Sequence, residues 1–471
     1  MAASRIIYDY NNAIAKNGRS TDDYITRDEL AALEQDVKKF HGELQAEKQA
    51  GKLGFAELPD TTEPAELCRR AAEARKGAFD NFVVLGIGGS ALGPIAVHNA
   101  LRHPHYNLDE RFRDGWPRLF VEDNIDPDHL RALMDVLDLK RTLFNVISKS
   151  GGTAETMAQF LIFRELLRAK LGTGFASNMV ITTDPQGGLM RKIVQMDGYQ
   201  SFPIPPNVGG RFSELTAVGL FPAAMTGIDP VALVTGARAM AQRCSTDRLW
   251  DNPAYMDAAI HFLACSRKRK GVSVMMPYAS ALRDVADWYR QLWAESLGKK
   301  FDVTGKRIVH AGQTPVKALG VTDQHSQVQL YAEGPNDKIF TFIAVEKHAA
   351  DVPIPKCFES EEGAAYLGGH TMKELLEAER RGTAIALTEA GRPNVTITMP
   401  QVDAPNVGGL LYLFELETAM MGKLLGINAF DQPGVEAGKK AAYALMGRTR
   451  YEELRRKLDA TAKPAKDFII E

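Results

Sequence analysis

The feature that most constrains this chain is an alternation. Short β-branched or aliphatic runs at residues 82–85, 119–121, 143–147 and 179–183 are separated by stretches long enough for a helix. That is the pattern of a parallel sheet with crossover helices. The second half repeats it more loosely, with runs at 272–276, 307–309, 339–345 and 395–399 and helical patterns over 282–297 and 409–425. The expected fold is α/β, with two doubly wound parallel sheets. Residues 1–75 read as a helical lead-in, with Leu30, Leu33, Val37 and Phe40 at helical spacing and a polar turn at 58–64 to close it. The two α/β units then occupy 76–235 and 236–430, and a C-terminal helical segment carrying Lys439 occupies 431–471. A Pro/Gly-rich stretch at 203–210 precedes a helix expected from about Ser213, and 351–369 reads as a long loop.

Charge excludes some partners. The chain has 471 residues, 57 of them Lys or Arg and 59 Asp or Glu, so its formal charge of −2 offers no global field to nucleic acid or anionic lipid. Any anion site must be local. The four cysteines, Cys68, Cys244, Cys265 and Cys357, include no short pair of the kind that makes a zinc knuckle or a redox dithiol, which fits a reducing compartment. The N-terminus runs from Met-Ala-Ala-Ser-Arg into polar residues rather than the apolar stretch of a secretory signal, so a cytoplasmic location is expected. Residues 81–101 carry no formal charge and are long enough to span a bilayer, but Gly86, Gly88, Gly89, Gly93 and Pro94 make them a buried strand entering a glycine turn. No membrane contact is expected.

In sheets of this type ligands collect at the carboxyl ends of strands, and the motifs there carry the chemistry. Gly86-Ile-Gly-Gly-Ser-Ala91 follows the first run and matches the loose dinucleotide fingerprint G-x-G-x-x-A, with Glu122 or Asp123 available as a ribose-binding acid. It is equally a tight strand-to-helix turn that needs positive φ. Ser148-Lys-Ser-Gly-Gly-Thr-Ala-Glu-Thr156 opens a helix after the third run. Four hydroxyls, two glycines and Lys149 can surround a phosphate monoester with backbone N–H groups and the positive end of the helix dipole, whereas an ordinary cap needs one hydroxyl. Ser148, Ser150 and Thr153 are therefore candidate phosphate ligands. Arg211, in Gly209-Gly-Arg-Phe-Ser213, is a cation ahead of an expected helix, where it opposes the dipole unless an anion sits beside it. In Trp288-Tyr-Arg-Gln-Leu-Trp-Ala-Glu-Ser-Leu-Gly298, Gln291 and Glu295 share a helix face, and Gly298 reads as the residue just past the helix. Glu295 then lies where the dipole disfavours its ionised form, as suits a base working near neutrality. Asp323-Gln-His-Ser326 brings His325, and Asp431-Gln-Pro-Gly-Val-Glu-Ala-Gly-Lys439 brings Gln432 and Lys439. Asp431 is expected to cap the last helix and Lys440 to pair with Glu436, which leaves Lys439 free. His103-Pro-His105 reads as a surface turn, and no metal site is expected.

These segments, in this order, resemble the glucose-6-phosphate isomerase family. The match runs from about residue 80 to 440 and is most specific at Val208-Gly-Gly-Arg-Phe-Ser213 and at Phe430-Asp-Gln-Pro-Gly-Val-Glu436 followed by Lys439. The resemblance implies two sugar-isomerase (SIS) domains. By it, Ser90, Ser148, Ser150 and Thr153 correspond to sugar-phosphate contacts, with Gly89 beside Ser90 as a further substrate-binding residue and Lys149 in the same loop as the serines. It makes Arg211 the arginine beside the reacting carbons, Glu295 the base, His325 and Lys439 the ring-opening pair, and Gln291 and Gln432 neighbours of the substrate. It also implies no cofactor and a homodimer in which His325 is contributed across the interface. Glu214, where an aliphatic residue or threonine is usual, and Asp323, where many members have glycine, depart from the pattern. Short bacterial members include some that also accept mannose 6-phosphate. The rivals are a nicotinamide-dependent dehydrogenase, resting on residues 86–91, and a non-catalytic SIS-type sugar-phosphate sensor, against which Glu295 and Arg211 argue.

Overall fold

The computed structural model describes residues 5–16, 18–461 and 466–470. Residues 1–4, which enter the reading of a chain without a secretory signal, and residues 462–465 and 471 of the 431–471 segment lie outside them. A short strand β1 (Ile7–Asp9) is followed by helices α1 (Glu34–Gln49) and α2 (Glu63–Glu73). The first α/β unit contains β2 (Asn81–Leu85), α3 (Leu92–Leu101), β3 (Arg118–Glu122), β4 (Thr142–Ile147), α4 (Ala154–Leu171), β5 (Met179–Thr183) and β6 (Gln200–Pro203). Its sheet is wholly parallel, in the order β3-β2-β4-β5-β6. Every residue of β2, β4 and β5 is buried. Helices on both faces account for that, and for the near-continuous apolar runs by which these strands are legible.

The chain then forms α5 (Ala217–Met225), α6 (Pro230–Arg243), α7 (Pro253–Arg267), β7 (Val272–Pro277) and α8 (Arg283–Leu297). After these come β8 (Lys299–Phe301), β9 (Ile308–Ala311), β10 (Thr314–Lys317), β11 (Lys338–Lys347), β12 (Asn394–Gln401), α9 (Ala404–Leu425) and α10 (Glu436–Leu445). The second sheet has the order β1-β12-β11-β7-β10. It is parallel except for β1, which pairs antiparallel with β12, so the lead-in supplies an edge strand to the distant sheet. The run at 307–309 is a strand but not part of this sheet; it pairs with β8 in a separate two-stranded hairpin. The strand that fills the sheet edge instead is Thr314–Lys317, whose Pro315 and flanking polar residues hide it from periodicity.

Residues 81–101 resolve into β2, a short turn and the ten-residue α3. Among the described residues no helix is long and apolar enough to cross a membrane. The core is organised around α9, buried almost throughout, which packs on α6, α7 and α8. Its crossing with α6 is close: a Cβ on Gly236 would lie 1.8 Å from the Pro405 carbonyl, and one on Gly408 would lie 2.0 Å from that of Leu233. In the first sheet the strand order reverses between β2 and β4, so a crevice opens at their carboxyl ends.

Candidate active site

Two loops emerge at that crevice. After β2, residues 88–90 make a single tight turn with Gly88 at φ +57°, and it seats directly on the loop before α5, because a Cβ on Gly89 would lie 2.2 Å from the Gly210 carbonyl. After β4, the hydroxyl-rich loop is held by its own side chains: Ser148 Oγ accepts from Gly151 N–H and Ser150 Oγ from Gly152 N–H, each at 3.1 Å. Thr153 occupies the cap position of α4, yet its side chain makes no capping bond, so its hydroxyl is not used as a cap. Lys149 is turned to a different task from the expected phosphate contact. Its Nζ donates to the carbonyls of Pro206 at 2.7 Å and Val208 at 2.9 Å, lashing this loop to the one that carries Arg211. Burial pulls its pKa down.

Arg211 lies in a short turn, Gly210–Phe212, and the following helix begins at Ala217, not near Ser213, with Thr216 as its cap. Arg211 is 3% exposed, which no solvated arginine would be. Its Nε donates to Ser296 Oγ (2.6 Å), Nη1 to Gln432 Oε1 (3.1 Å), and Nη2 to the carbonyls of Ala429 (2.6 Å) and Asp431 (3.1 Å). Burial lowers its pKa, while the charges of Glu295 and Asp431 act the other way. Nη1 also stands 3.6 Å from the carboxylate of Glu295. Gln291, one turn earlier on α8, donates to that carboxylate at 3.2 Å. The Gln291 amide nitrogen also comes within 2.9 Å of where a Cβ on Gly88 would be, so α8, the glycine turn and the arginine loop meet at one place. Gly298 ends α8 in extended conformation at φ −71°, rather than in the left-handed form expected of a residue past the helix.

Three expectations at the C-terminal side change. Asp431 caps no helix; its carboxylate accepts from Asn428 at 2.9 Å, and its carbonyl serves Arg211 and Lys299. Lys439, not Lys440, pairs with Glu436, at 3.2 Å, within the first turn of α10. One turn on, the Tyr443 hydroxyl donates to the Gly152 carbonyl at 2.9 Å, bringing the exposed α10 against the phosphate-type loop. His325 is exposed at the end of a turn after β10, with no side-chain hydrogen bond among the described residues. Asp323 builds that turn, accepting from Leu319 N–H at 2.7 Å and from the Ser326 hydroxyl at 2.5 Å. The structure thus brings Ser90, Gly89, Arg211, Gln291, Glu295 and Gln432 together, ties the 148–153 loop to them through Lys149, and leaves His325 apart.

Sequence reasoning missed Ser296 and Lys299. Lys299 Nζ is buried and donates to the carbonyls of Glu295 (2.8 Å), Ser296 (2.9 Å) and Asp431 (2.8 Å), closing the end of α8 on the 429–432 segment. Desolvation, then the nearby Arg211 charge, pull its pKa down to about 8. The signal was present: a cation immediately after a helix end is where the last carbonyls want a donor. Glu122, cast as a ribose acid, is buried with its carboxylate 3.6 Å from His129. Glu214 is buried beside Gly93 and Gly219, which leave it room: Cβ atoms there would lie 1.9 Å and 2.1 Å from its oxygens.

Comparison with known proteins follows the same lines. Residues 70–464 match the family described as phosphoglucose isomerase. A glucose-6-phosphate isomerase of Carboxydothermus hydrogenoformans is 52% identical over 431 residues, covering 91% of this chain and 92% of that one. Another, from Rubrobacter xylanophilus, is 44% identical over 95% of this chain and 99% of that one. Among solved structures, a hypothetical protein of Thermus thermophilus superposes with a TM-score of 0.81 at 35% identity, covering 94% of this chain and all 100% of that one. A glucose-6-phosphate isomerase of Chlamydia trachomatis superposes with a TM-score of 0.73 at 25% identity, over 85% of this chain and 76% of that one.

Proposed function

The chain belongs to the phosphoglucose isomerase family, and on that premise we propose the route by which it interconverts glucose 6-phosphate and fructose 6-phosphate. The aldose and the ketose differ by one proton moved between C2 and C1 and by a redistributed oxygen proton. The observation that carries the reading is the Arg211–Glu295 pair: a carboxylate at the mouth of the crevice with a buried guanidinium 3.6 Å away. Glu295 takes the C2 proton of the open-chain aldose, leaving a cis-enediolate, and returns it to C1. Arg211 is already desolvated and fixed by four acceptors, so it meets the developing oxyanion without reorganising, an effect on the order of 3 kcal/mol in a dry site. Gln291 and Lys299 hold the base in place from the side chain and from the backbone.

Ser148, Ser150 and Thr153 anchor the phosphate at the α4 N-terminus with Ser90 opposite, and this remote binding energy positions the reacting carbons. Lys149 serves by holding the two loops together. His325 and Lys439 open the sugar ring. Exposed, and bonded to no group of its own site among the described residues, His325 acts across a homodimer interface, completing the other subunit's site. Every chemical role is filled by a side chain, so no nicotinamide or metal takes part, and the protein works in the cytoplasm.

A coupled assay of purified protein with fructose 6-phosphate tests the route. Turnover that needs no added nicotinamide or metal in the isomerising step is expected; turnover that stops on exhaustive chelation and returns with one specific metal would overturn it. Mixing His325→Ala with Glu295→Gln subunits under conditions of subunit exchange is expected to restore activity through heterodimers with one intact composite site. No return despite demonstrated exchange places His325 within its own chain's site.

A further inference from the structure

Behind the active-site helix lies a second polar cluster to which the isomerase chemistry assigns nothing. Asp257 and His261 stand one turn apart on α7, the i,i+4 spacing that puts two ligands on one helix face, and Glu417 reaches them from α9. One ligand atom from each of the three lies within 4.8 Å of the other two, and all three residues are at most 1% exposed. His261 Nε2 is 3.7 Å from Asp257 Oδ1, close to the spacing of roughly 3.3–3.5 Å between ligands in a tetrahedral zinc shell.

The surroundings orient these groups. Gln313 Nε2 donates to the Lys270 carbonyl at 2.8 Å, which fixes its amide and leaves its oxygen to accept from His261 Nδ1 at 3.1 Å. The proton therefore sits on Nδ1, and Nε2 offers its lone pair toward the carboxylates, the arrangement typical of a metal-ligating histidine. Nε2 also lies 3.4 Å from the Thr341 hydroxyl. The Tyr8 hydroxyl donates to Asp257 Oδ1 at 2.7 Å. What remains is poorly paired: Asp257 Oδ2 has no hydrogen-bond partner among the described residues, and the Glu417 carboxyl has the buried Tyr289 hydroxyl of α8 beside it, outside hydrogen-bond geometry. No Lys or Arg among the described residues forms an ion pair with Asp257 or Glu417. Ionised, the two carboxylates beside a neutral imidazole would carry two negative charges, which one divalent cation cancels.

We propose that Asp257, His261 and Glu417 bind one divalent transition-metal ion of the zinc class, trapped in the core as the chain folds. Its role is structural. It joins α7 to α9 beneath α8, whose Trp293 packs edge-on against His261 at 5.3 Å between ring centroids and whose other face carries Gln291 and Glu295.

The test uses the full chain, expressed with Zn²⁺ in the medium and assayed for metal by elemental analysis. Stoichiometric zinc that survives dialysis against EDTA is expected. Refolding with EDTA should give a metal-free chain of lower Tm that Zn²⁺ added during refolding corrects. Refolding with Co²⁺ should give the visible absorption of a nitrogen- and oxygen-ligated ion. Asp257→Asn and Glu417→Gln, which keep shape, should lose the metal and the absorption. Wild-type protein without stoichiometric metal after expression and refolding in Zn²⁺, Mn²⁺ and Co²⁺ would overturn the proposal and leave protons as the neutralising charge. That measurement needs no variant to fold.

Discussion

Arg211 and Glu214 are three residues apart, both are buried, and the fold treats them in opposite ways. Arg211 is surrounded by acceptors: a serine hydroxyl, a glutamine amide oxygen, two backbone carbonyls and, at the crevice, Glu295. Neither oxygen of Glu214 has a hydrogen-bond partner among the described residues, and its charge acts on that of Glu415, of the same sign. An isolated buried ion is far too costly to persist, so it is either compensated or neutralised. Arg211 is compensated and stays a cation where chemistry uses one. Burial drives both Glu214 and Glu415 well above the ordinary carboxyl range, so they are kept as neutral acids. The lesson is a separation: the compensated charges carry turnover, and the uncompensated ones carry only pH-dependent stability.

The largest effect expected is on the compensated side. Glu295→Gln keeps the shape and the contact with Gln291 but cannot accept a proton, so kcat should fall about 10²–10⁴-fold with KM little changed. Steady-state kinetics check this; a variant that retains most of its turnover would show that another group is the base. Next comes Arg211→Lys, which keeps the charge and loses the fork that reaches several acceptors at once. A kcat loss of about 10²–10³-fold is expected, with a lower Tm because the Ala429 and Asp431 carbonyls lose a donor. Unchanged kcat with lowered Tm would reduce Arg211 to a bolt between loops and break the comparison at its strong end.

The two sides also differ in how legible they were. The strands of the first sheet announce themselves because burial on both faces leaves uninterrupted apolar runs, and Arg211 stands out because the glycines beside it, Gly209 and Gly210, have few structural uses next to a cation. What escaped notice depended on contacts made far along the chain. Nothing local says that Ile7–Asp9 pairs with residues 396–398, or that Pro315 sits in an edge strand. Lys299 reads as one of two adjacent lysines until Asp431 is brought to it, and Lys149 reads as a phosphate ligand until the 206–208 carbonyls arrive. Nothing local says that Glu214, Glu415, Asp257 and Glu417 are buried; the packing of α3 and α5 around Glu214, and of α9 against its neighbouring helices for the other three, reveals it.

On the uncompensated side the expected change is in stability alone. Glu214→Met fills a similar volume without a polar atom and should raise the unfolding free energy at neutral pH by about 1–3 kcal/mol. The sign with pH follows from the raised folded-state pKa. The neutral Glu214 and Glu415 acids give their full contribution below the unfolded value near 4.5. That contribution is lost as pH rises through the folded-state value, because the native state then holds the extra proton. Urea unfolding of wild type should therefore show stability falling as pH rises across the range above 4.5, and the Met variant should flatten that slope while kcat stays unchanged. A variant with the wild-type slope would mean that Glu214 is ionised and compensated after all.

The smallest effect tests whether neutral hydroxyls form a third class. A hydroxyl on the phosphate acts equally in the ground and transition states, so its loss should raise KM and leave kcat alone. The two hydroxyls are not equivalent, however. Ser150 Oγ already accepts from Gly152 N–H, so Ser150→Ala frees a backbone donor that can itself turn to the phosphate and offset part of the loss. Thr153 makes no capping bond, so its hydroxyl has no competing partner within the loop and its removal is not offset. KM for fructose 6-phosphate should therefore rise more for Thr153→Ala than for Ser150→Ala, with the double variant highest and kcat constant throughout. Equal KM in all four proteins would remove this loop from the phosphate site, and a falling kcat would show that these hydroxyls act on the reacting end, as the charged groups do.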